Sequence, residues 1–185
     1  MMNNRGKLIV ISGPSGTGKS TVIGKVMDLT DNISFSVSMT TRPASPSEVD
    51  GKDYFFVDQD TFDKTIAEGG FLEYDRHMGN SYGTPKAAVE HSLASGRNVI
   101  LDIDVKGGAQ VKQSMPETVM VFLMPPSMEE LERRLRTRNR DSEEQLKTRL
   151  ARAEYECSRA GEYDHVIVNE DVDTAARQLA DIINA

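Results

Sequence analysis

A three-layer α/β fold with a mainly parallel sheet is predicted by three features of the sequence. Short apolar runs rich in β-branched residues recur at Lys7 to Ile11, Asn98 to Ile103, Val119 to Leu123 and His165 to Val168. Segments of helical periodicity separate or follow these runs, and the first run leads directly into a glycine-rich stretch, Gly13 to Ser20. Strands lacking polar alternation suit a sheet covered on both faces, as parallel sheets are. Strand, glycine loop and helix in succession form the opening half of a βαβ unit.

The elements follow in order. Thr21 to Leu29 reads as a helix with Val22, Ile23 and Val26 on its apolar face. From about Ser36 to Ala88 the βα rhythm breaks, and Thr, Ser, Pro, Gly and aromatic residues predominate. Short extended pieces, Tyr54 to Val57 and Phe71 to Tyr74, flank a helix at roughly Gln59 to Glu68. This region holds four of the six phenylalanines, which marks an inserted α+β unit with its own core and not a linker. Further on, Ser127 stands three residues before Glu130 with the spacing of a capping box, opening a helix through Leu131 and Leu135. Ser142 is placed to cap a second helix carrying Leu146, Leu150 and Ala153. Asp171 or Asp173 is placed to cap a final one carrying Ala175 or Ala176, Leu179, Ile182 and Ile183.

The size, 185 residues, is that of a single domain with small insertions. Twenty-nine acidic against 22 basic residues give a formal charge of −7, which argues against a duplex nucleic-acid binder but not against a site needing a few local cations. The one cysteine, Cys157, excludes an intrachain disulfide and a thiolate-rich metal site. The apolar run from Leu8 to Ile11 is too short for a signal sequence or a membrane span. A cytoplasmic protein with neither a membrane nor an obligate protein partner is expected. His77, His91 and His165 have no metal-ligand spacing.

Gly13 to Ser20 matches G-x-x-x-x-G-K-[ST] at every fixed position, and the fold is thereby expected to be of the P-loop NTP hydrolase type. Glycines let backbone N–H groups turn inward around phosphate oxygens, and the following helix adds unpaired N–H groups and its positive dipole end. Lys19 supplies a mobile charge for the β- and γ-phosphates, and the Ser20 hydroxyl can ligate Mg²⁺. Val99 to Asp102 is an apolar strand ending in a carboxylate suited to the same metal, directly or through water. Strand periodicity places Asp102 and Asp104 on one side.

Taken together, several segments resemble the guanylate kinase family, nucleoside monophosphate kinases that phosphorylate GMP. They are Ser12 to Thr21, Ser36 to Pro43, Glu48 to Phe56, Phe71 to Glu73, Gly79 to Thr84, Leu101 to Asp104, Pro125 to Ser127 and Tyr163 to Asn169. The glycine loop is common to many families. Thr40-Thr41-Arg42 and the Gly79-Asn80-Ser81-Tyr82-Gly83-Thr84 stretch are far more specific, and the resemblance runs in order over nearly the whole chain.

The resemblance implies transfer of the γ-phosphoryl group of ATP to GMP, and to dGMP as well, with Mg²⁺, giving ADP and GDP. It implies a core of 1–35, 89–126 and 153–185, a GMP-binding insert of 36–88 and a helical lid of 127–152. Gly13, Ser15, Gly16, Thr17, Gly18, Lys19, Ser20 and Thr21 would hold ATP, with Arg138 and with Asn169 near the adenine. Ser38, Glu73, Thr84 and Asp104 would read the guanine, Glu73 accepting from the ring N1–H and the exocyclic amine. Arg42, Tyr54 and Tyr82 would hold the GMP phosphate. Lys19, Arg42, Arg134, Arg138 and Arg149 would neutralise the transferring group. Elementary chemistry agrees: guanine presents two donors on one edge, for which an ionised glutamate is an apt acceptor, and a phosphate dianion calls for charge-assisted donors.

Two positions depart from the family pattern. Ser45 stands where an arginine is usual, so one phosphate cation is missing. The Gly-Arg-Gly of the lid is replaced by Thr137-Arg138-Asn139. Five arginines between Arg133 and Arg140 would repel one another without a polyanion, although Arg133 and Arg136 are more simply read as a solvated face balanced by Glu129, Glu130 and Glu132. The alternatives are a kinase for another nucleoside monophosphate and a non-catalytic binding module. The intact loop argues against the second.

Overall fold

The computed structural model describes residues 5–77, 79–137 and 142–185. Five strands form a wholly parallel sheet: β1 (Leu8–Ser12), β2 (Ile33–Phe35), β7 (Asn98–Asp102), β8 (Val119–Met124) and β9 (His165–Val168), in the order β2-β7-β1-β8-β9. Alternation along β1 divides the core between the two faces. Ile9 and Ile11 pack with Val22, Ile23 and Val26 of α1 (Lys19–Leu29) and with Ala175, Leu179 and Ile183 of α7 (Val172–Asn184). Leu8 and Val10 pack on the opposite face with Val89 and Leu93 of α3 (Lys86–Ala94) and Val111 of α4 (Val105–Ser114). Helix, sheet, helix are the three layers the apolar runs predict.

The inserted region builds a second, mixed sheet. Its strands are β3 (Ser38–Thr40), β4 (Tyr54–Phe56), β5 (Phe71–His77) and β6 (Asn80–Pro85), ordered β4-β3-β6-β5, with β3 and β4 parallel and the other pairs antiparallel. Helix α2 (Gln59–Ala67), capped by Asp58 accepting from Thr61 N–H, buries Phe62 against Phe71, with ring centroids 4.6 Å apart. Helix α3 begins at Lys86, directly after the last strand of this sheet, and packs on the core strand β7.

Helices α5 (Met128–Thr137) and α6 (Glu143–Ser158) pair around Leu131, Leu135, Leu146 and Ala153, a small core separate from the two above. Ser127 Oγ accepts the Glu130 N–H at 3.1 Å. Ser142 and Gln145 form the reciprocal capping box. Helix α6 continues without a break from 143 to 158, carrying residues of the expected lid and core in one rod. Asp171, not Asp173, caps α7. Among the described residues, no helix is long and apolar enough to cross a membrane.

Candidate active site

The C-terminal ends of β1 and β7 open onto a cavity of about 1150 Å³. Gly13, Ser15, Gly16, Gly18, Lys19, Ser20 and Thr21 line one wall; Asp102 and Asp104 another; Ser142, Thr148, Arg149, Arg152 and Glu156 a third. Thr17 is buried under the loop, its hydroxyl donating to Pro14 O. Gly18 is the N-cap of α1 in the left-handed region (φ 92°, ψ 20°), and a Cβ there would lie 2.8 Å from Asn169 Nδ2. Its conformation delivers the free N–H end of α1 into the cavity.

Lys19 reaches back across the loop. Its Nζ donates to Gly13 O at 2.6 Å and stands 3.9 Å from Asp102 Oδ1. Burial pushes the Asp102 carboxyl above the usual carboxylate range, with Lys19 pulling the other way. Asp102 ends β7 as expected. Asp104 reaches the same cavity by a different route than strand continuation. It caps α4, its Oδ1 accepting the Gly107 N–H at 2.9 Å. Ser20 and Asp102 thus offer hard oxygen donors beside the loop, the donor chemistry that suits Mg²⁺.

Strand register explains why residues scattered over 47 positions converge in the insert. Ser38 pairs with Tyr54, Thr40 with Tyr82, and Glu73 with Thr84. Ser38 and Thr40, and likewise Tyr82 and Thr84, are two apart, so Ser38, Tyr54, Glu73, Tyr82 and Thr84 share one sheet face. Thr84 Oγ1 donates to Glu73 Oε1 at 2.6 Å. Glu73 is only 8% exposed, and burial raises its carboxyl pKa, with the negative charges of Asp104 and Asp75 adding to the effect against the Thr84 hydrogen bond. The rings of Tyr54 and Tyr82 meet edge-on at 6.4 Å.

Arg42, just beyond β3, lies over the Tyr54 ring at 5.4 Å and the Phe56 ring at 5.7 Å. Its guanidinium is bidentate to Glu48, at 2.9 and 2.7 Å, and Glu48 Oε2 also accepts the Ser45 N–H at 2.7 Å. That pairing holds the Glu48 carboxyl at about 2, the arginine hydrogen bonds being the main cause. Sequence reasoning gave Glu48 no role, because a six-residue separation across a loop has no periodic signature.

The remaining expected residues are placed as follows. Arg149 lines the cavity. Arg134 donates to Glu130 at 2.8 Å and, at 3.4 Å, to the backbone oxygen of Asn169. Asn169 is 1% exposed and supports the loop from beneath, Nδ2 donating to Thr17 O at 2.6 Å. Its Oδ1 has no hydrogen-bond partner among the described residues. Arg138 lies outside the described residues. Arg133 and Arg136 are occupied by Glu130 and by Glu132 and Glu143, as a solvated helix face.

Two further residues escaped the sequence reading. Gly107 lets α4 approach the insert so closely that a Cβ there would lie 3.0 Å from Glu73 Oε2. Arg152 bridges Asp104 and Glu156. The signals were present in Gly107-Gly108, a glycine pair unfavourable inside a helix, and in the i, i+4 spacing of Arg152 and Glu156.

The guanylate kinase family model matches residues 5–185. A guanylate kinase of Thermus thermophilus is 48% identical over 185 residues, covering 100% of this chain and 82% of that protein. One from Lactococcus lactis is 48% identical over 184 residues, covering 100% and 90%. The crystal structure of guanylate kinase from Anaplasma phagocytophilum superposes with a TM-score of 0.76 at 36% identity, covering 98% of this chain and 86% of that one. With a loop that can cradle phosphates, a buried glutamate on a separate small sheet, and these matches along its length, the chain belongs to the guanylate kinase family.

Proposed function

We propose that the chain catalyses ATP + GMP → ADP + GDP, with dGMP as a second acceptor, and that its parts divide the work as follows. Residues 1–35, 89–126 and 153–185 form the core that holds ATP, 36–88 the insert that holds GMP, and 127–152 the lid. The observation that carries this reading is Glu73: a buried carboxylate fixed by Thr84 on a sheet face that also carries Ser38, Tyr54 and Tyr82. Guanine's N1–H and exocyclic amine supply the donors such a group lacks, while the acceptor and amine of adenine's Watson–Crick edge match it badly. The base is read by Glu73 with Ser38, Thr84 and Asp104.

The acceptor phosphate rests on Arg42, Tyr54 and Tyr82. The donor triphosphate occupies Gly13 to Thr21, with Asn169 near the adenine. Transfer from ATP to GMP then requires chiefly that the two phosphates be held in line and that charge on the transferring oxygens be neutralised. Lys19, Arg42, Arg134, Arg138 and Arg149 serve that neutralisation. Ser20 and Asp102 would hold Mg²⁺, directly or through water, and the ion when bound would offset phosphate charge. Product analysis tests the reaction. One GDP should appear for each ADP when GMP is supplied with ATP and Mg²⁺, whereas ADP and inorganic phosphate without GDP would make the chain a simple NTPase.

A further inference from the structure

Asp104 divides its carboxylate between two elements. Oδ1 accepts the Gly107 N–H within α4, and Oδ2 accepts Arg152 Nη2 of α6 at 3.0 Å. The same guanidinium donates through Nε to Glu156 Oε1 at 2.9 Å. Glu156 is 6% exposed, so the far end of this bridge is anchored in the protein interior. Arg149 and Arg152 are three apart on α6 and both line the cavity. One arginine therefore stands between a carboxylate assigned to the acceptor base and the helix face that carries a charge assigned to the transferring phosphate.

For stability alone the Asp104–Arg152 pair would count for little, since the two side chains are 36% and 56% exposed. Its geometry is more specific than a surface pair requires. The planar fork of arginine holds two carboxylates from different elements at a fixed angle, which a lysine ammonium cannot reproduce.

We propose that Arg152 is a specificity-determining positioning residue, tying Asp104 to buried Glu156 so that recognition of the acceptor base and the seating of α6 beside the phosphates are coupled. The proposal rests on the acceptor assignment given above. Without the bridge, Asp104 keeps its bond to Gly107 but loses the constraint on Oδ2, the oxygen free of α4. The loss falls on acceptor binding and base choice, and the donor loop, which Arg152 does not touch, is spared.

Steady-state kinetics of wild type, Asp104→Asn, Arg152→Met, Arg152→Lys and the Asp104→Asn/Arg152→Met double variant form the test. Each is assayed with GMP, with inosine monophosphate, which lacks the exocyclic amine, and with varied ATP, and thermal unfolding verifies folding. Arg152→Met is expected to raise KM for GMP about fivefold or more while KM for ATP stays within about twofold. Its preference for GMP over inosine monophosphate should fall. The double variant should be little worse than Asp104→Asn, giving a coupling of about fivefold, or ~1 kcal/mol. Any instability from unpairing Glu156 is common to both Arg152→Met backgrounds and cancels in the cycle. Arg152→Lys should recover part of the KM but not the full discrimination. Additive losses in the double variant, or equal losses toward GMP and ATP, would overturn the proposal. Absence of GMP turnover by wild type would instead overturn the acceptor assignment itself. Damage by Asp104→Asn with unaffected Arg152 variants would leave that assignment standing and remove only this inference.

Discussion

Thr84 donates its hydroxyl to Glu73 Oε1 at 2.6 Å, and the other oxygen of Glu73 faces Gly107 at the start of α4. One hydroxyl from the small mixed sheet and one close approach from α4 thus fix the carboxylate to which the proposed function assigns acceptor choice. The mixed sheet and α4 meet at this point, so the proposed base-reading group lies where they join.

Glu73→Gln keeps the shape but turns an acceptor oxygen into a donor facing guanine's own donors. GMP kcat/KM should fall by about 10²-fold or more, from an unmatched buried group costing ~1–3 kcal/mol or more when charged, while KM for ATP changes little. The stability effect has the opposite sign. Burial raises the Glu73 pKa in the folded state, so the folded chain holds this proton more tightly than the unfolded chain. The favourable contribution is full below the unfolded pKa and is lost as pH rises through the folded value. At neutral pH the ionised group is therefore a burden. Glu73→Gln should raise Tm at pH 7, with the advantage shrinking as pH falls below the raised pKa. A lowered Tm at pH 7 would contradict this.

Gly107→Ala tests the close approach. Alanine is the better helix former by roughly 0.8–1.0 kcal/mol, yet its Cβ would lie 3.0 Å from Glu73 Oε2 and press the carboxylate out of place. GMP kcat/KM should drop by roughly tenfold, or ~1.4 kcal/mol, with Tm not lowered in proportion and KM for ATP unchanged. Unaltered GMP kinetics would mean that Glu73 has room to spare.

Much of this was legible in the sequence, for identifiable reasons. The parallel strands announced themselves because both faces are buried, and Ser142 because its capping box is a local pattern. Helix α4 was missed because Gly107 and Gly108 depress helix propensity, and tertiary packing on β5 overrides them. Three-residue strands such as β3 are too short to show alternation, and only their register brings Ser38 and Tyr82 to one face. Glu48 and Arg152 are set by contacts between loops and elements that no single-segment pattern encodes.

Lys19→Ala removes the cation that bridges the loop carbonyls and Asp102. Transition-state stabilisation should fall by about 2–4 kcal/mol, the scale of single-donor removals in electrostatic sites. Pre-steady-state measurement of the transfer step, with circular dichroism to verify folding, provides the check. Near-wild-type turnover by a folded variant would remove the loop from the chemistry.

Ser45→Arg examines the departure from the family pattern. Ser45 sits against Glu48, whose carboxylate already engages Arg42. An added guanidinium there would raise the positive charge available to the acceptor phosphate. KM for GMP should fall roughly three- to tenfold, about 0.7–1.4 kcal/mol, mainly without change in kcat, and the gain should shrink at high ionic strength. Exposed Lys52 stands two residues before β4, and an unchanged KM in Ser45→Arg together with a raised KM in Lys52→Ala would show that it already serves as the second cation.

The central claim is that buried Glu73 selects guanine, and parallel kcat/KM values for GMP, AMP, UMP and CMP with ATP and Mg²⁺, in wild type and Glu73→Gln, test it most directly. Wild type should use GMP at least about 10²-fold better than the other three, and Glu73→Gln should lose most of that preference while KM for ATP holds. Comparable turnover of any other monophosphate by wild type, or a preference for GMP that survives Glu73→Gln intact, would contradict the claim.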